Sequence, residues 1–207
     1  MAVLGHDRLK SLLRSEDYND RLIVTPLLLE SQVGEASIDI RLGNDFIVTR
    51  RGNLGSVDPS SQSQSGRRYQ AKHFINYSQK FYLHPGEFVL AGTLEYFRLP
   101  KNVAGFVTSR SSWGRTGLVI ATATAVQPGF TGAITLELVN HGDVPLILYP
   151  GLSVAQLVLS DCDGAKEYLG RFSYSAEALY PKISQDKNTD MKFWKEAYKD
   201  KTHQGES

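Results

Sequence analysis

The feature that most constrains this chain is a run of turn signals in its second half. Pro85-Gly86, Pro100-Lys101-Asn102, Pro128-Gly129, His141-Gly142-Asp143 and Pro150-Gly151 punctuate short apolar segments from Phe81 onward. Proline presets the φ of a turn, and glycine supplies the positive φ that other residues resist. Segments cut at this spacing predict an all-β sandwich or barrel. Upstream, Ser37-Ile38-Asp39-Ile40-Arg41-Leu42 alternates polar and apolar residues, the period of a strand, and Gly43-Asn44 is expected to end it. Phe46 to Val48 is expected to begin another strand, and Leu22 to Leu29 reads as an extended segment broken at Pro26. Leu9, Leu12 and Leu13 share one helical face, so residues 6–15 read as a short helix with Asp7 as its cap. Residues 52–72 are rich in Gly, Ser, Gln and Arg without apolar periodicity, the composition of a long surface loop. After Asp161 the pattern fades. Phe193, Trp194 and Tyr198, in the mostly charged stretch 186–207, suit either a short amphipathic helix or a frayed tail. The expected division is one β domain over residues 1–186 and a charged tail over 187–207.

Several function classes drop out on charge and composition. A formal net charge of +1 supplies no basic field for nucleic acid. One cysteine, Cys162, cannot make an intrachain disulfide or a zinc site built on two cysteines, and it fits a reducing cytoplasm. No run of roughly 18 apolar residues is present, so no membrane span is expected. Leu4 is followed by Gly5, His6, Asp7 and Arg8, which leaves no apolar core for a signal peptide. His6, His73, His84, His141 and His203 lack metal-ligand spacing. The phosphate-binding P-loop, the serine nucleophile elbow and the zinc-deaminase signature are all absent.

The chemistry concentrates between Ser109 and Glu137. Arg110, Ser111, Ser112 and Arg115 lie in one short polar turn, where guanidinium forks and hydroxyls suit phosphate oxygens. A polar hairpin whose serines bond their own backbone is an equally good reading of the same residues. In Ile134-Thr135-Leu136-Glu137-Leu138-Val139, period two puts Thr135, Glu137 and Val139 on the face opposite the leucines. Glu137 is then either a solvated strand carboxylate or a general base facing an enclosed site. Gln127-Pro128-Gly129-Phe130-Thr131-Gly132 makes a rigid turn that can bring backbone to a ligand or simply reverse the chain. Gln156, in an apolar strand, needs hydrogen-bond partners, which phosphate oxygens or neighbouring backbone can supply.

Taken in order, five segments resemble the dCTP deaminase family of the dUTPase-like superfamily. They are Ala36-Ser37-Ile38-Asp39-Ile40-Arg41-Leu42-Gly43, Phe81-Tyr82-Leu83-His84-Pro85-Gly86-Glu87, Ser109 to Arg115, Pro128 to Leu138, and Tyr149-Pro150-Gly151 leading to Ala155-Gln156-Leu157. The match runs from about residue 4 to about 160 and more weakly to about 186. The resemblance implies a mainly β, distorted jelly-roll or β-barrel fold of dUTPase-like type, with a short N-terminal helix and a C-terminal extension. It implies a homotrimer with active sites between subunits. It also implies hydrolysis of dCTP to dUTP and ammonia without zinc, with Mg²⁺ carried on the triphosphate and dTTP as a feedback ligand. By the same resemblance Glu137 is the general base and acid, Ser111 holds the water beside backbone near Thr122 and Ala123, and Arg115 stabilises charge. Arg110, Ser112 and Gln156 then line the phosphate path, and Thr135 and Gln127 line the nucleotide.

The chain departs from the family pattern in several places. An aspartate usual before the Pro-Gly turn is here Gln127, which can bond a sugar hydroxyl but cannot act as a base. That substitution argues against dUTP hydrolysis and against a deaminase that also releases pyrophosphate. The family's C-terminal Tyr, Lys and Gln clamp corresponds loosely to Tyr174 (or Tyr180), Lys182 and Gln185. Ala125 is smaller than the usual residue, and Trp113 replaces a leucine and can pack at an interface. The competing readings are a nucleotide diphosphatase, a non-catalytic nucleotide-binding relative, and a β-sandwich interaction module.

Overall fold

The computed structural model describes residues 2–28, 30–50, 56, 69–121, 125–164, 170 and 173–181. It separates into two compact units: Met1–Thr49 with Ala71–Leu179, and Arg50–Gln70 with Tyr180–Ser207. In the second unit the Arg50 N–H donates to the Tyr69 carbonyl at 2.7 Å. The expected boundary at 186, the tail with Phe193, Trp194 and Tyr198, and most of the expected 52–72 loop lie outside the described residues.

The first unit is built on β strands, as the turn spacing requires. They are β1 (Ile23–Thr25), β2 (Ile38–Thr49), β3 (Gln70–Phe74), β4 (Phe81–Leu83), β5 (Phe88–Arg98), β6 (Val103–Ser109), β7 (Leu118–Ile120), β8 (Ala125–Val126), β9 (Thr131–Asn140), β10 (Leu146–Leu148) and β11 (Ser153–Asp161). Each Pro-Gly signal falls between two of these strands. The strand order is β7-β9-β5-β2-β11-β6-β8, with β1 on β5, β3 on β2, and β4 paired separately with β10. β7 at one end of this order also lies against β6 near the other end, so the sheet curls around its core. This is the mainly β, curled-sheet architecture expected, with a short N-terminal helix.

Local chemistry corrects three expectations. β2 does not end at Gly43-Asn44 but runs on through Phe46 to Thr49. The register against β5 shifts between Leu42 and Phe46, so the Gly-Asn pair marks a bulge rather than a stop. A Cβ at Gly43 would stand 3.0 Å from the carbonyl oxygens of Gly92 and Thr93, an approach that glycine permits. Helix α1 (His6–Arg14) forms, but its N-cap is Gly5, and Asp7 lies in the first turn, where its charge suits the helix dipole. Residues 70–72, expected in the loop, belong to β3.

The core fills the concave side. Leu9 and Leu12 of α1 belong to one buried apolar cluster with Ile38, Ile40 and Leu42 of β2, Phe97 of β5, Leu136 and Leu138 of β9, and Leu157 and Leu159 of β11. Phe46 stacks on Phe81 with ring centroids 4.5 Å apart.

Candidate active site

Alternation on β9 decides where the carboxylate points. Ile134, Leu136 and Leu138 are buried in the core, while Thr135, Glu137 and Val139 are half-buried on the other face. Residues opposite one another in an antiparallel ladder share a face. Glu137 stands opposite Leu90, which in turn stands opposite Ile47, and both of these apolar neighbours are buried. One row along the same face run Val119, Val139 and Phe88, with Val119 and Phe88 exposed. This apolar setting desolvates the carboxylate and holds its pKa above the ordinary glutamate value of 4.5. The Glu137 carbonyl accepts the Ala121 N–H at 2.8 Å, which brings the chain just before Thr122 and Ala123 alongside it. Thr122 and Ala123 themselves lie outside the described residues.

The Ser111–Arg115 segment is a helical turn, α2 (Ser111–Gly114), rather than a hairpin loop. The N–H groups of Trp113 and Gly114 donate to the Arg110 carbonyl at 3.0 and 3.1 Å, and that of Arg115 donates to the Ser111 carbonyl at 3.1 Å. These three amides serve the turn, while the side chains of Ser111, Ser112 and Arg115 are all exposed. Both ends are pinned: Arg110 N–H donates to the Val154 carbonyl of β11, and the Gly117 carbonyl accepts the His141 N–H just past β9. Gly117 has φ +91°, and a Cβ there would lie 2.5 Å from the Gly142 nitrogen. The α2 turn is thereby fixed against the strand that carries Glu137. Trp113, expected to suit an interface, packs on its own chain's core, and its Nε1–H donates to the Ser153 carbonyl at 3.0 Å.

Arg110 and Gln156 meet on a residue that sequence reasoning did not single out. Arg110 Nη1 donates to Asp39 Oδ2 at 2.7 Å, and Gln156 Nε2 donates to Asp39 Oδ1 at 3.0 Å. One Gln156 N–H is held by this carboxylate because Gln156 of β11 stands directly across from Asp39 of β2. Behind Asp39 lies a buried ionic cluster. Arg41 Nε donates to Glu95 Oε1 at 2.6 Å, the Arg41 N–H to Glu95 Oε2 at 2.9 Å, and Arg41 Nη2 to the Pro26 carbonyl at 2.8 Å. Gln32 Nε2 joins Glu95 Oε1 at 2.9 Å to the Asp39 carbonyl at 3.0 Å. The alternating Ser37–Leu42 pattern carries the signal that Asp39 and Arg41 share a face, but only the strand register reveals their partners.

The other candidates are more scattered. The Thr135 hydroxyl accepts the Leu179 N–H at 3.1 Å and so anchors a C-terminal strap, residues 173–179. Tyr174 is exposed with φ 65°, and its N–H donates to the Thr131 carbonyl, six residues along β9 from Glu137. Gln127 is exposed in the turn before β9. Tyr180 belongs to the second unit. Lys182 and Gln185 lie outside the described residues.

A family model described as dCTP deaminase-like matches residues 3–162. A protein named dCTP deaminase, dUMP-forming, from Methanobrevibacter smithii is 37% identical over 159 residues, which cover 76% of this chain and 79% of that protein. A protein named dCTP deaminase from Halorubrum lacusprofundi is 39% identical over 157 residues, covering 72% and 77%. The crystal structure of 2′-deoxycytidine 5′-triphosphate deaminase from Agrobacterium tumefaciens superposes with a TM-score of 0.57 at 22% identity. That match covers 76% of this chain and 46% of the crystallised one, and it shows a shared fold. With its β9 carboxylate, its Arg-Ser-Ser turn and this match over most of its length, the chain belongs to the dCTP deaminase-like family.

Proposed function

We propose that this protein hydrolyses the C4 amino group of dCTP, with Glu137 moving the protons. The observation that carries the reading is a strand carboxylate whose pKa is raised by burial, on the strand just past whose end the segment following α2 is pinned. Water adds to C4 while Glu137 takes its proton and delivers it to N3. The resulting C4 hydroxyl then yields its proton through Glu137 to the amine, which leaves as ammonia and restores the C4 carbonyl. One desolvated carboxylate serves both transfers if it sits within reach of each. Ser111 holds the water, and Arg115 stabilises charge as it develops. Arg110, Ser112 and Gln156 receive the triphosphate. Their guanidinium, hydroxyl and amide donors suit phosphate oxygens, so magnesium enters with the substrate as Mg·dCTP. The reading carries with it a homotrimer with sites between subunits, dTTP as a ligand of the same site, and a cytoplasmic setting suited to the lone thiol of Cys162.

The product has two readings. Gln127 lacks the carboxylate that would activate water at phosphorus, which favours dUTP. Relatives named dUMP-forming, such as the one from Methanobrevibacter smithii, favour removal of pyrophosphate as well. Incubation with Mg²⁺ and dCTP, CTP or dUTP, with ammonia and pyrophosphate measured separately, decides both questions. Ammonia alone from dCTP identifies dUTP as product, and equal pyrophosphate identifies dUMP. Glu137→Gln is expected to lower ammonia release by at least a thousandfold; robust turnover in that variant refutes the role of Glu137.

A further inference from the structure

We propose that Asp39 is a positioning residue that clamps Arg110 and Gln156 so that their remaining donors face the polyphosphate. The inference rests on the phosphate path proposed above. Arg110 carries five N–H donors in a rigid plane. Its Nη1 donates both to Asp39 Oδ2 at 2.7 Å and to Ser153 Oγ at 2.8 Å. These two acceptors use up the hydrogens of Nη1 and fix the plane of the guanidinium. Among the described residues nothing engages Nε or Nη2, so the side-on fork, the pair of parallel N–H groups that matches two phosphate oxygens, is left open. The other Asp39 oxygen takes one Gln156 N–H at 3.0 Å and leaves the second for an oxygen of the ligand. One carboxylate thus orients two donors, one on β11 and one just past the end of β6.

Asp39 is itself held firmly. It is the second residue of β2, in register opposite Gln156 of β11, and its carbonyl accepts Gln32 Nε2, which also donates to Glu95. The side chains of Arg110 and Asp39 are 37% and 22% exposed, so a ligand can reach the open edge of the fork.

A carboxylate in an anion site would by charge alone weaken phosphate binding, so the two roles predict opposite signs. If Asp39 orients, removing its charge weakens binding; if it only repels or occupies the fork, removing it strengthens binding. Asp39→Asn keeps the shape but removes the charge and leaves one oxygen where Arg110 and Gln156 now have two. Titration of the full-length protein with inorganic tripolyphosphate is expected to show about tenfold weaker binding for Asp39→Asn, with an unchanged melting temperature. With dCTP, KM is expected to rise about tenfold with kcat within twofold. Equal or tighter tripolyphosphate binding, or a loss confined to kcat, overturns the proposal. If Asp39→Asn fails to fold, Ser153→Ala loosens the same Nη1 and is expected to bind two- to threefold more weakly; unchanged or tighter binding there overturns it equally. Wild-type protein that binds no tripolyphosphate also overturns it. Wild-type protein that binds tripolyphosphate yet releases no ammonia from dCTP overturns the proposed activity and leaves the positioning role to be decided by the two variants.

Discussion

Glu137 illustrates how a single residue can be costly to the fold and, in the role proposed for it, useful to the chemistry. Burial raises its pKa, so the folded protein binds that proton more tightly than the unfolded chain does. The charged carboxylate therefore costs stability at pH values above its folded pKa. The cost fades as pH falls toward the unfolded value and is gone below it. Glu137→Gln is expected to melt at or slightly above the wild-type temperature at neutral pH, with the difference vanishing in acid; scanning calorimetry across pH checks this. Solvent at the half-exposed side chain keeps the gain small. Because the base must be ionised, ammonia release should fall on the acid side with a limb above 4.5. Glu95 poses the opposite case. It is fully buried and accepts from Arg41 and Gln32. Arg41→Met leaves that carboxylate without its countercharge, and loss of a buried partner costs about 3–5 kcal/mol, readable in urea denaturation.

Among the elements, the strap over residues 173–179 depends on a close approach that only glycine allows. Ser175 accepts the Ala133 N–H at 2.6 Å, and the Leu179 N–H reaches the Thr135 hydroxyl. Gly92 lies directly opposite Thr135, and a Cβ there would meet the Ala178 nitrogen at 2.9 Å. Ala178 is backbone-anchored and buried, so it cannot swing aside as a long side chain would. Gly92→Ala is expected to push the strap off β9 and destabilise the protein by about 1–3 kcal/mol, the range for overpacking. Hydrogen exchange at Leu179 should accelerate in that variant while the amides of β2 stay protected.

For the whole molecule, the face that bears Glu137 is incompletely covered within one chain. Leu90 and Ile47 are buried there, but Val119 is 39% and Phe88 40% exposed one row away. Deamination by a desolvated base needs water excluded except for the reacting molecule. A homotrimer that closes this face is the assembly proposed above. Sedimentation equilibrium is expected to give three times the chain mass. Phe88→Lys, a charge in that face, should shift the protein toward monomer and lower ammonia release with it.

The sequence by itself determined the period of the strands, the places of the turns, the short helix and the opposed faces of β9. Each is a local property: φ preference at Pro and Gly, and alternation at neighbouring positions. Those terms also placed Glu137 on the face away from the leucines. What lay beyond them were contacts between distant segments. The continuation of β2 through Gly43 depends on the carbonyls of Gly92 and Thr93, and the Trp113 indole finds the Ser153 carbonyl. Thr135 holds Leu179, and Asp39 gathers Arg110 and Gln156. Strand register brings together residues as far apart as 39 and 156, and alternation within one strand cannot say which strand will lie beside it. Local periodicity thus identified the face on which Glu137 stands, while tertiary pairing alone decided what holds the groups proposed to serve it.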